Sequence, residues 1–530
     1  MRNAKLVSLE VKNFKSFKSS EKIEISPLTI IIGRNNSGKS SLIQSLLLLK
    51  QTLADPRPDV MLKLEGVVDA FNLREITYGW PDTGDFVAGP EITIGWECIV
   101  SKSHGLAGSP DLENLAKHSD VKWLKSKNDE KNILTTIRIR TAEIAGSAEI
   151  IEILLTSHSN EHDTSLGLEA KNGEWHCTWN GKKTKNIDIE LDNFIPILNI
   201  NRSKVGPRSA ERAYHNAYLV IFAQPLNALK SILTQFHYLG SSRLPAPSLF
   251  KPATSDPNEI GASGEHAAQL LHRKRKDIVH YLPIETLTNQ DISEHMIIAA
   301  PLEEAVNSTM KALSISAPLQ IKDIEKVGFQ IMFGRASLGH VGRGLGQLLP
   351  LVELGLFADP MKFKGEEGQF KLNEYIDLCP AHGHIALEEP EAHLHPKVAS
   401  RLAHWLISLA QSNRRIIVET HSDHLVRKLR GLAARAGKSS SLESWLLENV
   451  IIHSVEQADD GTSSISSSKL TSDGGMSENW PSDFMDEASE EESAIYFAKI
   501  EKKNKKNQNN KNEKNELFLS GEEPETNIEP

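Results

Sequence analysis

Cysteine is nearly absent: the 530 residues hold three, Cys98, Cys177 and Cys379, far apart and without CxxC or CxxH neighbours. That spacing excludes a disulfide framework and a zinc finger, and it fits a reducing, cytoplasmic compartment. Long apolar runs are missing too. The leucine run at residues 46–49 is stopped by Lys50, far short of the roughly 20 apolar residues that cross a bilayer, so no membrane association is expected. The opening Met-Arg-Asn-Ala-Lys leads into polar/apolar alternation rather than an apolar export signal. No charge of one sign dominates: 60 basic and 70 acidic residues give a net charge of -10, so nucleic-acid binding requires a local basic surface. Residues 122–131 and the Arg-Lys-Arg-Lys run at 273–276 are the candidates, and each also reads as a solvated helix face. Sustained heptads and internal repeats are lacking, and aromatics are sparse at 6 %. What is present, 39 % hydrophobic and 25 % charged residues, describes a globular chain with enough core for two or three domains.

Apolar patterning predicts strands at residues 6–11, 22–25 and 28–32, the last almost wholly apolar and β-branched, as in a strand buried on both faces. A loop then opens into a helix from Ser40 to about residue 53. Short strands separated by polar turns follow (91–99, 133–144, 149–156, 175–179), a mainly β segment with helical pieces. Beyond it lie a strand ending in Gly-Ser-Ser-Arg near residues 237–244 and helices at 263–276 and 301–313. Buried strands at 385–387 and 416–418 flank a helix at 397–409, which makes a βαβ unit. Strands near 450–455 and a Ser-rich stretch come next. Residues 501–515, rich in Lys, Asn and Glu, hold almost nothing to bury and are expected to be disordered. The organisation that results is 1–55, 56–235 (inserted β-rich lobe), 236–490 and a low-complexity tail, 491–530.

Three constellations carry chemistry. Gly33-Arg34-Asn35-Asn36-Ser37-Gly38-Lys39-Ser40 is G-x-x-x-x-G-K-S, placed after a buried strand and at the start of a helix. Gly33 and Gly38 let the loop curl so that N–H groups across Asn35, Asn36, Ser37 and Ser41 face a phosphate, aided by the helix dipole. Lys39 is expected to bridge β- and γ-phosphates of ATP, and Ser40 to ligate Mg²⁺. The second is Ile385-Ala386-Leu387-Glu388-Glu389-Pro390-Glu391, an apolar strand ending in acids and expected beside the phosphate-loop strand. There Glu388 is assigned to Mg²⁺ and Glu389 to the attacking water. The third is Ile416-Ile417-Val418-Glu419-Thr420-His421, whose His421 is assigned as γ-phosphate sensor. His393, His395 and His424 form no Cys/His cluster and no His-x-x-x-His on one helix face, so no transition-metal site is expected.

In this order the motifs resemble the ABC-type ATPases related to SMC, RecF and OLD proteins. The opening Leu9-Glu10-Val11-Lys12-Asn13-Phe14-Lys15-Ser16-Phe17 is similar to the first strands of that group. The resemblance implies an α/β ABC-type P-loop head, split here by the β-rich insertion, that hydrolyses ATP as a head-to-head homodimer or higher oligomer. In such heads a signature loop of one copy caps the γ-phosphate held by the other. Its counterpart is Val341-Gly342-Arg343-Gly344-Leu345-Gly346-Gln347, a loop before a helix at 348–357. Gly344 stands where the Leu-Ser-Gly-Gly-Gln signature has serine, so Gly344, Gly346 and Gln347 are the residues expected to act in trans.

Two stretches, Tyr238-Leu239-Gly240-Ser241-Ser242-Arg243 and Trp480-Pro481-Ser482-Asp483-Phe484-Met485-Asp486, look like those of a bacterial branch that includes the PtuA-type ATPases of Septu anti-phage systems, also found beside some retrons. Many of that branch carry Glu-Asn-Pro where this chain has Glu388-Glu389-Pro390, and the retained Glu389 implies hydrolysis. Arg243 is either a nucleotide contact or a structural ion-pair partner. An OLD-type Toprim nuclease would add Val-Glu-Gly-x-x-Glu and Asp-x-Asp, and residues 425–530 contain neither. The resemblance therefore implies an ATPase controlling a separate HNH nuclease subunit such as PtuB, with reverse transcriptase and msDNA as further partners if a retron is involved. A RecF/SMC-like clamp on DNA and a non-hydrolysing nucleotide switch are the alternatives.

Overall fold

Five parallel strands and one antiparallel strand build the sheet that carries all three constellations. In the computed structural model they lie in the order Phe236–Leu239, Gly383–Glu388, Arg414–Glu419, Leu28–Gly33, Val450–Gln457 and Ser463–Lys469. The structure describes residues 3–79, 84–105, 129–158, 163–200, 205–206, 209–253, 258–288, 291–362, 364–477, 495 and 497–500. The chain divides into two units, Met1–Asn479 and Trp480–Pro530, and the described residues of the second are helical. The Trp-Pro-x-x-Phe-x-Asp stretch, residues 501–530 and most of the basic run at 122–131 lie outside the described residues.

The phosphate-loop strand Leu28–Gly33 is buried along its whole length, as an unbroken β-branched run requires between two parallel neighbours. It passes through the loop into helix Lys39–Leu53, whose Leu42, Ile43 and Leu46 to Leu49 are buried against the sheet. Helix Pro396–Gln411 connects Gly383–Glu388 to Arg414–Glu419, the predicted βαβ unit. One expectation is corrected by the strand order. Gly383–Glu388 is not adjacent to the phosphate-loop strand, because Arg414–Glu419 lies between them and pairs with both. A strand, helix, strand pattern fixes that two strands are neighbours but not which of them flanks a third.

The N-terminal strand Lys5–Phe14 belongs to a second, antiparallel sheet. Phe86–Ser101, Glu130–Ile144, Ser147–His158, Thr164–Lys171, Glu174–Trp179 and Lys182–Lys183 follow it as successive neighbours. The β-rich segment therefore continues a sheet that begins before the phosphate loop. Its inward residues alternate, with Ile133, Ile137 and Ile139 buried on one face, and they pack on Leu219–Ala223 and helix Gln224–Thr234. Leu219–Ala223 is a π-helical turn ending two residues before Pro225. Proline has no N–H to continue the α-helical ladder, and a widened turn accommodates the loss. Trp96 Nε1 closes this packing by donating to the Pro225 carbonyl at 2.9 Å. The two sheets meet at polar seams: Leu6 N–H donates to His384 Nε2 at 3.2 Å, and the Arg415 guanidinium donates to the Ile25 carbonyl. Burial holds His384 well below the usual imidazole range, which keeps that nitrogen free to accept.

One further expectation changes in the C-terminal half. The helix expected from residue 348 begins at Arg343, so Gly344, Gly346 and Gln347 lie in its first turns rather than in a loop. The charged stretch at 362–371 ends in strand Gly368–Lys371, which pairs with Met296–Pro301 and runs into helix Leu372–Leu378. Of the basic run at 273–276, Lys274 pairs with Asp277 and Arg275 with Asp323, so charge of this run is committed within the chain.

Candidate nucleotide-binding site

The phosphate loop has the backbone that its glycines permit. Gly33 has φ 150°, Asn36 64° and Gly38 98°. A Cβ on Gly33 would lie 2.3 Å from the Val455 carbonyl oxygen, and one on Gly38 2.4 Å from Ser16 Oγ; both positions therefore need glycine. The loop is held from outside: Ser463 N–H donates to Ser16 O at 2.8 Å and Ser463 Oγ donates to Ser37 O at 2.6 Å. Lys39 Nζ folds back to donate to Arg34 O at 2.7 Å. Burial lowers the Lys39 pKa, against the pull of Glu419 and Glu389.

Glu389, Glu419 and His421 close the cleft. Glu388 pairs in register with Glu419, and Glu389 N–H donates to Glu419 O at 2.8 Å. This turn puts Glu389 at φ 44°, in the left-handed region, and brings its Oε1 within 4.0 Å of His421 Nε2. Burial first, and then Lys39, lowers the His421 pKa, against Glu389 and a hydrogen bond from its ring to the Gly33 main chain, which ties the side chain to the phosphate loop. Ser40 Oγ donates to Glu419 Oε1 at 2.9 Å. Burial and the like charge of Glu388 push the Glu419 carboxyl up to about 7, against Ser40 and Lys39. Lys39, Ser40, Glu389, Glu419 and His421 all line one cleft of about 780 Å³, together with Asn35, Asn36, Gly38 and Ser41. Gly33 and Ser37 do not line it.

Glu388 is placed differently. Its carboxylate accepts from the Tyr238 hydroxyl and the Ser241 main chain. Arg243 holds main chain. It is 7 % exposed and donates to the main-chain carbonyls of Glu388 at 2.9 Å and Glu389 at 3.0 Å. It therefore fixes the turn that aims Glu389. Arg243→Ala is expected to lower kcat by about tenfold to a hundredfold, the effect of misplacing one reacting group, while nucleotide affinity changes little; steady-state kinetics beside equilibrium binding separates the two.

The signature residues sit elsewhere. Gly346 and Gln347 line a second cleft of about 460 Å³ with Arg343, Arg243 and His393, and no phosphate-loop residue lines it. Gly344 lies against the turn after Glu391: a Cβ there would stand 2.9 Å from the His393 carbonyl oxygen. Two functional positions escaped the sequence reading. Glu419 sits in a quoted motif without a role, although an acid ending an otherwise apolar strand with no polar alternation was the available signal. Glu391 accepts from Thr420 Oγ1 at 2.6 Å and from His421 N–H at 3.3 Å, so it locks the histidine strand to the acid turn; nothing in its spacing marks that.

The donor set fits a hard cation beside a triphosphate. Ser40 and the flanking carboxylates offer oxygen only, and one oxygen each of Glu388 and Glu419 is buried without a partner. Among the described residues no group of three or more His, Cys, Asp or Glu could hold a metal alone, and no helix is long and apolar enough to cross a membrane. Cys98, Cys177 and Cys379 are buried and free.

Solved structures similar to the chain include an SMC head bound to the C-terminal winged-helix domain of ScpA (14 % identity, TM-score 0.36, covering 88 % of this chain and 98 % of that one). Another is the SMC head domain from Thermotoga maritima (16 %, TM-score 0.31, 88 % and 98 %). A third is an Smc head with an extended coiled coil bound to the C-terminal domain of ScpA, from Pyrococcus furiosus (12 %, TM-score 0.32, 88 % and 96 %). No curated protein matches the chain. A family model described as the AAA ATPase domain matches residues 5–290 and 381–426, which include the phosphate loop, the acid turn and the histidine strand. The chain belongs to the AAA ATPase domain family.

Proposed function

We propose that the chain binds ATP with Mg²⁺ and hydrolyses it when two copies meet head to head, and that this cycle controls a separate effector in the cytoplasm. The observation that carries the ATPase reading is convergence. Lys39, Glu389 and His421, from three distant parts of the chain, line one cleft at the ends of neighbouring strands. In that cleft Lys39 binds the β- and γ-phosphates, and the loop N–H groups of residues 35–41 cradle them. Glu389 orients the attacking water and accepts its proton, and His421 contacts the γ-phosphate. Mg²⁺, held by Ser40 and the carboxylates at the strand ends, supplies neutralisation of phosphate charge. The head-to-head arrangement is favoured by the separation of the two clefts, since the signature residues of a chain do not reach its own phosphate loop. A partner copy would bring Gly344, Gly346 and Gln347 to it.

The identity of the effector rests on residue resemblance: an HNH nuclease subunit of an anti-phage system, given the Tyr-Leu-Gly-Ser-Ser-Arg and Trp-Pro-Ser-Asp-Phe-Met-Asp stretches. Wild-type protein is expected to release phosphate from Mg²⁺-ATP, and Lys39→Ala to lose both turnover and binding of a fluorescent ATP analogue. Equal turnover in the two proteins would end the ATPase reading. Purification of the tagged protein from its native locus tests the effector: recovery of an HNH protein supports it, and DNA-stimulated turnover of a protein recovered alone rejects it.

A further inference from the structure

The carboxylate nearest the phosphate loop is not the one that the acid turn provides. Strand Arg414–Glu419 lies between Gly383–Glu388 and Leu28–Gly33, and its last residue pairs in register with Ile31 on one side and Glu388 on the other. Glu419 is 4 % exposed, yet it lines the cleft with Lys39 and Ser40. One of its oxygens accepts from Ser40 Oγ at 2.9 Å; the other is buried with no hydrogen-bond partner. A buried carboxylate left half satisfied is costly unless something else completes it. Glu388 also has one unpartnered oxygen, but Tyr238 and Ser241 hold its carboxylate and it does not line the cleft.

We propose that Glu419 is the carboxylate that works with Ser40 to hold the divalent cation of the bound nucleotide, with Glu388 supporting it from the next strand. This rests on the ATP-binding reading above. The Ser40 hydroxyl, which now donates to Glu419, would turn its lone pairs to the cation, and the bare oxygen of Glu419 would acquire the partner it lacks. Hard oxygen donors of this kind, completed by phosphate oxygens and water, suit Mg²⁺ and its spectroscopic stand-in Mn²⁺.

The test is metal binding rather than turnover. Affinity for a fluorescent ADP analogue is measured in EDTA and in Mg²⁺, and Mn²⁺ binding to the ADP complex by electron paramagnetic resonance, for wild type, Glu419→Gln and Glu388→Gln. Glu419→Gln is expected to keep the metal-free ADP affinity and to weaken Mn²⁺ by about tenfold to a hundredfold, with a smaller loss in Glu388→Gln. Unchanged Mn²⁺ affinity in Glu419→Gln overturns the proposal, as does an equal or larger loss in Glu388→Gln. Loss of metal-free ADP binding in Glu419→Gln also overturns it, because the residue would then shape the pocket rather than hold the metal. Failure of the wild type to bind ADP at all removes the ATP-binding reading together with this one, whereas the other failures leave that reading standing.

Discussion

Glu389→Gln lowers ATP turnover by about a hundredfold to ten-thousandfold, the span of a positioned general base, and leaves nucleotide binding intact. The side chain stands on a left-handed turn at φ 44° whose carbonyls Arg243 holds and whose N–H is bonded to Glu419. Its carboxylate is thus aimed by three main-chain anchors that the amide keeps. Glutamine preserves size and geometry and removes only the capacity to accept a proton. The loss should therefore fall on kcat, with the affinity for a fluorescent ATP analogue within about threefold of wild type, since binding falls to Lys39 and the loop N–H groups. A parallel loss of affinity would show that Glu389 builds the pocket, and unchanged turnover would return the chain to the class of nucleotide switches.

Arg414→Met destabilises the protein by about 3–5 kcal/mol, the cost of leaving several buried acceptors without their charged donor. Arg414 is 0 % exposed. Its Nε donates to Gly355 O at 3.0 Å and its Nη2 to His280 O at 2.8 Å. Nη1 donates to Ser412 O at 3.0 Å and Ser412 Oγ at 2.8 Å. Methionine fills much of the volume but leaves three carbonyls buried without donors. Arg414→Lys recovers only part of the loss, because a single ammonium cannot reach acceptors that diverge in three directions. The network also joins the last turn of the signature helix, at Gly355, to the strand that ends in Glu419. Thermal melts of the nucleotide-free protein read the effect directly; a change below about 1 kcal/mol would mean that water reaches these carbonyls.

Much of the site was legible because its motifs combine chemistry with place. Gly33 to Ser40 announce themselves by glycine positions and by the buried strand before them, and Glu388, Glu389 and His421 by ending apolar runs. The β-rich segment was legible from alternation, as at Ile137 and Ile139. What the sequence hid was mutual arrangement. Nothing in residues 383–388 says that another strand separates them from residues 28–33, and this is why Glu388 was expected beside Ser40 where Glu419 stands. Arg243 was ambiguous because an arginine after a turn reads as an ion-pair partner, whereas its acceptors are two carbonyls far away in sequence. The start of the signature helix was placed late because glycines argue against helix, yet Gly344 is where the helix must approach the His393 carbonyl closely.

On the head-to-head reading, one chain holds half of each active site and ATP joins two copies. Light scattering of Glu389→Gln with and without Mg²⁺-ATP tests it most directly, since this variant binds ATP without consuming it. An ATP-dependent doubling of mass is expected, and Gly346→Asp should abolish it, because an acid at the signature turn would repel the γ-phosphate of the other copy. A mass that stays unchanged at saturating ATP, or a doubling that Gly346→Asp leaves intact, would contradict that reading.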